Sequence, residues 1–107
     1  MTKTKLKGEV EASQIEAWKK KYPDGIYAVD VDGSRLYFSV PNRHETNAAL
    51  TIANADETNP LAYMEEVTKM TCIGGDKEKL DDYQALKGIM KKVKIKAEGK
   101  HAELKEL

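Results

Sequence analysis

Apolar residues change their spacing twice along the chain, and each change predicts a different element. Residues 1–11 are polar and read as a lead-in. Ser13 then opens a short helix with Ile15 and Trp18 on one face and Lys19, Lys20 and Lys21 at its end. Cations suit a helix C-terminus, and Pro23-Asp24-Gly25 stops the run. Two short β-rich runs follow, Ile26–Val31 and Arg35–Val40, joined by Asp32-Gly33-Ser34. Asp-Gly between β-branched and aromatic residues predicts a hairpin whose turn specifies the strand register. Alternation places Tyr27, Val29 and Val31 on one face of the first strand, and Leu36, Phe38 and Val40 on one face of the second. A lone hairpin is marginal in water, so that face must pack on helices or on another sheet.

From residue 41 the spacing turns helical. Asn42 with Glu45 outlines a capping box. Ala48, Ala49, Ile52, Ala53 and Ala55 form a thin stripe of mostly small residues. Thr58-Asn59-Pro60 breaks that helix and starts another, with Asn59 as N-cap and Pro60 in the first turn. Leu61, Met64, Val67 and Met70 recur every third residue, and Gly74-Gly75 reads as the helix stop. Asp76 can cap a last helix carrying the broadest stripe, Leu80, Tyr83, Leu86, Ile89, Met90 and Val93. The expected fold is α+β: a short N-terminal helix, one β-hairpin, then three mostly antiparallel helices. The expected organisation is a flexible lead-in over 1–12, a single α+β domain over 13–96, and a charged C-terminal extension over 97–107.

Composition narrows the function classes. With 107 residues the chain accommodates one domain, and 40% hydrophobic residues suffice for one modest core. Eighteen basic and eighteen acidic residues give zero formal charge, which removes the electrostatic argument for a dedicated nucleic-acid binder. Charge is nonetheless segregated. Residues 44–82 hold three basic and nine acidic groups, whereas residues 83–107 hold seven basic and three acidic ones. A dipolar surface of this kind suits ordered contacts between chains. Cys72 is the single cysteine and gives no secretion signature, and no apolar run is long enough for a membrane span. The expected location is the cytoplasm, with no membrane partner.

Candidate chemistry is sparse. His44 and His101 are far apart and neither belongs to a ligand-spaced cluster, so no metal site is read. Cys72 has no histidine nearby and reads as an inert thiol on a helix face. Gly74-Gly75-Asp76 lacks the Lys-Ser/Thr of a phosphate-binding loop. Asp30 and Asp32 flank a turn, and Glu65-Glu66 and Asp81-Asp82 diverge around their helices, so no paired acid/base emerges. Catalysis and cofactors are therefore not expected. Nucleic-acid binding has slightly more material. Lys87, Lys91, Lys92, Lys94, Lys96 and Lys100 make the last helix basic, and Tyr27, Tyr37 and Phe38 are candidates for base stacking. Lys87, Lys91 and Lys94 nevertheless read as a solvated side opposite the apolar stripe.

A set of short motifs adds a resemblance. They are Ile15-x-x-Trp18-Lys19 with Tyr22, then Tyr37-Phe38-x-x-Pro41-x-Arg43, and then Cys72-x-Gly74-Gly75-Asp76. Asp82-x-x-x-x-Leu86 and a Lys/Glu/Leu-rich end complete the series. In this order, over residues 13–107, the chain resembles the small tail assembly chaperone-type proteins of long-tailed phages and prophages. The resemblance implies a non-enzymatic chaperone of the host cytoplasm that binds the tape-measure protein and helps the tail-tube protein polymerise around it. It also implies absence from the finished virion, and the class commonly has a longer frameshifted product. No catalytic or ligand role is carried across by it.

The residues suit that role in one respect. A tape measure is a long amphipathic helix, and a chaperone for it needs an adaptable apolar surface. Met64, Met70 and Met90 are the expected partner-binding positions because Met repacks easily, with Lys87, Lys91 and Lys94 as their basic counterpart. The alternative function is a nucleic-acid-binding or adaptor accessory protein of a mobile element, working through the basic C-terminal helix. Unprotected hairpin edges further suggest a homo-oligomer, a dimer or larger, built partly by edge pairing.

Overall fold

The computed structural model describes residues 6–52, 60–97 and 102–107. Its elements are α1 (Ala12–Lys21), β1 (Ile26–Val31), β2 (Ser34–Ser39), α2 (Arg43–Ile52), α3 (Pro60–Thr71), β3 (Cys72–Gly75), a 3₁₀ turn (Lys77–Asp81) and α4 (Tyr83–Ala97). The fold is α+β, as the alternation and helical spacing imply. The hairpin forms around positive-φ residues Asp32 (φ 48°) and Gly33 (φ 75°), the backbone that a two-residue hairpin turn requires. It pairs Tyr27 with Phe38, Val29 with Leu36 and Asp30 with Arg35. The capping box also forms: Asn42 Oδ1 accepts from the Glu45 amide at 2.8 Å, and Glu45 Oε1 accepts from the Asn42 amide at 3.1 Å. Ala53, Ala55 and the Thr58-Asn59 break lie outside the described residues, as do Gly99, Lys100 and His101.

Three expectations are corrected. Cys72–Gly75 is not simply a helix stop, because it runs antiparallel to β2 as the third strand of a sheet ordered β1-β2-β3. Asp76 does not cap a helix with its side chain; its carboxylate accepts a buried hydrogen bond from Ser34 Oγ at 2.7 Å. Asp82 takes the capping role instead, accepting from the Gln84 amide at 3.1 Å. The last helical stripe is accordingly divided, with Leu80 in the 3₁₀ turn and Tyr83 onward in α4.

The core lies between the sheet and the helices that follow it. Val29, Leu36, Phe38, Ala49, Val67, Ile89 and Val93 form one buried cluster. Leu36 and Phe38 alternate with Tyr37, which faces the other side of β2 and meets Trp18 of α1 at 5.2 Å between ring centroids. Thr68 and Thr71 are buried on α3, and their hydroxyls donate to the Met64 and Val67 carbonyls, so both buried hydroxyls are paired. The N-terminal lead-in is docked where it is described. Lys7 accepts from the Arg35 amide at 2.8 Å and donates to the Gly33 carbonyl at 2.9 Å.

The two edges of the hairpin consequently differ. The outer edge of β2 is covered by β3 and by residues around Lys7. Among the described residues, no strand pairs with the outer edge of β1. The principal-axis extents of 56 × 36 × 23 Å describe an elongated molecule.

Candidate functional site

An apolar concavity lies where α3 meets α4. Leu61 and Met64 contribute from α3, one helical turn apart, and Met90 contributes from α4. Lys87, Lys91 and Lys94 line the same groove, whose volume is about 370 Å³. Met90 is buried and forms the floor, Met64 is half-buried, and Leu61 remains 49% exposed at the mouth. Lysines line one side of this surface because residues 87, 91 and 94 are spaced by four and three, the interval that brings helical side chains onto one face. Their aliphatic stems can lie along the apolar floor while the ammonium groups reach water. This corrects the expectation of a solvated side opposite the stripe. The three lysines border the stripe at Met90. Lys87 also lies over the Tyr83 ring, with Nζ 5.1 Å from the centroid.

Five of the six expected partner-binding residues are thus brought together: Met64, Met90, Lys87, Lys91 and Lys94. Met70 is not among them. It sits two turns further along α3 and packs against the central core cluster. Leu61 is the groove residue that the sequence reading missed. It shares the three-residue spacing of Met64, and only the meeting of α3 with α4 distinguishes its exposed end from an ordinary core stripe.

A second concavity of about 290 Å³ runs beside β1, lined by Tyr27 through Asp30 and by Lys92, Ile95 and Lys96. Here Tyr27 stacks on Phe38 at 5.6 Å, and its hydroxyl is buried without a hydrogen-bond partner. Burial, reinforced by the nearby Cys72, pushes the Tyr27 phenol well above its ordinary range, so the hydroxyl stays neutral. Asp30 is held by Arg35 through contacts of 2.6 and 2.9 Å. That bidentate hydrogen bond lowers the Asp30 carboxyl below the usual carboxylate range.

The remaining candidates occupy other environments. Cys72 begins β3 rather than lying on a helix face, and burial pushes its thiol up from the ordinary value. His44 is exposed in the first turn of α2. Tyr37 and Phe38 are buried at 4% and 0% exposure, which removes them as a platform for stacking bases. Among the described residues, no three His, Cys, Asp or Glu side chains gather in a metal-holding group. Among the same residues, no helix is long and apolar enough to cross a membrane.

The groove therefore offers an apolar floor of adaptable side chains under a cationic rim, an arrangement suited to non-covalent docking of an amphipathic segment. Comparison of the chain with known protein families, curated proteins and solved structures finds no match to any of them.

Proposed function

We propose that this chain is a non-enzymatic protein-binding module that captures amphipathic helical segments in the α3–α4 groove, acting as a phage or prophage tail assembly chaperone. The clients would be the tape-measure and tail-tube proteins, met in the host cytoplasm. The observation that carries this reading is the groove itself: Leu61, Met64 and Met90 beneath Lys87, Lys91 and Lys94. Helix-in-groove recognition uses anchors three and four residues apart, and methionine lets one surface accept several related stripes. The lysine rim favours clients whose apolar stripe is flanked by Glu or Asp. The motif order over residues 13–107 supplies the phage-tail context. A nucleic-acid role through α4 is the weaker reading, because Tyr37 and Phe38, two of its three candidate stacking residues, are buried.

The test is a fluorescence-anisotropy titration with a labelled amphipathic peptide carrying a leucine stripe and glutamate flanks. Binding is expected with Kd on the order of 10 μM, and Leu61→Asp should raise Kd at least about tenfold. A peptide that binds the Leu61→Asp variant as well as the parent, or that fails to bind at about 1 mM, overturns the reading.

A further inference from the structure

We infer that the α3–α4 groove also receives the Ala102–Leu107 segment of a second copy of this chain, joining copies head to tail. This rests on reading the groove as a docking surface, but not on the identity of any client. The segment reads Ala-Glu-Leu-Lys-Glu-Leu. It is described without secondary structure and is exposed throughout, with Leu104 at 90%. Two leucines held in water three residues apart form an apolar pair without a partner in their own chain. Wound into one helical turn, Leu104 and Leu107 share a face, Glu103 and Glu106 lie on one flank, and Lys105 lies on the other.

That pattern complements the groove point by point. The leucines match the apolar lining of Leu61, Met64 and Met90. The glutamate flank matches Lys87, Lys91 and Lys94, which all project from α4 and so lie along one wall. Because the segment lies off its own groove, with Leu104 exposed, a second chain supplies the occupant. The donor surface and the receiving surface differ, so the contact is heterologous and each added copy leaves one groove and one segment open. Unaided, six residues do not hold a helical turn in water, so the turn forms on docking and the contact is weak and reversible. A client with a longer stripe and more anchors would displace the segment, and the chain would then hold its groove covered until a client arrives.

Two variants test this, both altering exposed residues. Light scattering coupled to size exclusion, run from about 10 to about 500 μM, should show the parent's average mass rising with concentration past that of two chains. Leu61→Asp alone and Leu104→Asp/Leu107→Asp alone should each stay at the single-chain mass. Mixed in equal amounts they should form a one-to-one pair that grows no further, because one variant retains the segment and the other the groove. Raising salt from about 50 to about 500 mM should weaken the parent's association, as the screened lysine–glutamate contacts require. The inference is overturned if the parent stays at the single-chain mass throughout, which covers docking of the segment within its own chain. It is also overturned if the Leu104→Asp/Leu107→Asp variant still associates, which points to pairing at the β1 edge, or if the mixture fails to pair. The amphipathic peptide, titrated against Leu104→Asp/Leu107→Asp, separates the two readings. Peptide binding to that variant with no self-association of the parent removes only this inference, whereas loss of both removes the docking groove as well.

Discussion

The seam between β2 and β3 and the groove between α3 and α4 are both contacts between neighbouring elements, yet one is closed and the other open. The seam is built from small residues. A side-chain carbon on Gly74 would lie 2.7 Å from Trp18 Cη2, and one on Gly75 would overlap the Arg35 carbonyl oxygen. Gly75 also takes φ +94°, a backbone conformation that few other residues adopt. Missing side chains allow β3, Trp18 and β2 to meet at backbone distance. The groove is built from the opposite material. Methionine and lysine are long and unbranched, and where their side chains line the junction of α3 and α4 a groove of about 370 Å³ stays open. Closeness in the seam makes it structural, and looseness in the groove makes it available to a partner.

The comparison breaks first at Gly75. Gly75→Val should destabilise the fold by roughly 3 kcal/mol or more, combining backbone strain with a clash against β2. Chemical denaturation measures it, and an unchanged midpoint would mean that β3 does not pair as described. Next comes the polar lock at the end of the same seam. Asp76→Ala removes the partner of the buried Ser34 hydroxyl and should cost about 1–3 kcal/mol. Ser34→Ala/Asp76→Ala together should lose less than the two single variants added, because they share one interaction.

Smaller effects sharpen the contrast. Asp30 and Arg35 pair across β1 and β2 at the surface, where solvent screening limits the pair to under about 1 kcal/mol. Because the Asp30 carboxyl titrates below its unfolded value of about 3.9, this contribution is present above that pH and disappears as pH falls through the folded value. Thermal midpoints of the parent and Asp30→Asn should therefore differ at pH 7 and converge as the pH falls below the folded value of Asp30. A gap that persists in acid would assign the difference to something other than ionisation. The smallest effect belongs to the groove: Leu61→Asp should change stability by no more than about 0.5 kcal/mol while abolishing peptide capture. A large loss of stability would place Leu61 in the core and remove the distinction between seam and groove.

Legibility follows the same division. The hairpin, its register and the Asn42–Glu45 capping box were readable because each depends on residues within a few positions of one another. Most of the candidate site was readable too, since Met64 with Leu61, and Met90 with Lys87, Lys91 and Lys94, each follow helical spacing on a single element. Met70 carries the same spacing and the same chemistry as Met64 and, like it, packs against the core cluster, yet only Met64 also lines the groove. Periodicity identifies the face of a helix and leaves open which length of that face another helix will cover.

By itself the sequence determined the α+β class, the hairpin turn at Asp32-Gly33, the helical stripes and the cationic side of α4, all of them consequences of local backbone preference and side-chain spacing. Tertiary structure decided the third strand, the Ser34–Asp76 lock, the Trp18 contact over Gly74 and the opening between α3 and α4. A glycine pair signals a helix stop equally well whether or not a strand lies beside it. The hydrogen bonds that turn Cys72–Gly75 into β3 come from β2, more than thirty residues earlier, and Asp76 reaches Ser34 across a separation of 42. Such contacts form only once chain closure has placed distant segments together, and no local spacing encodes which of them will meet.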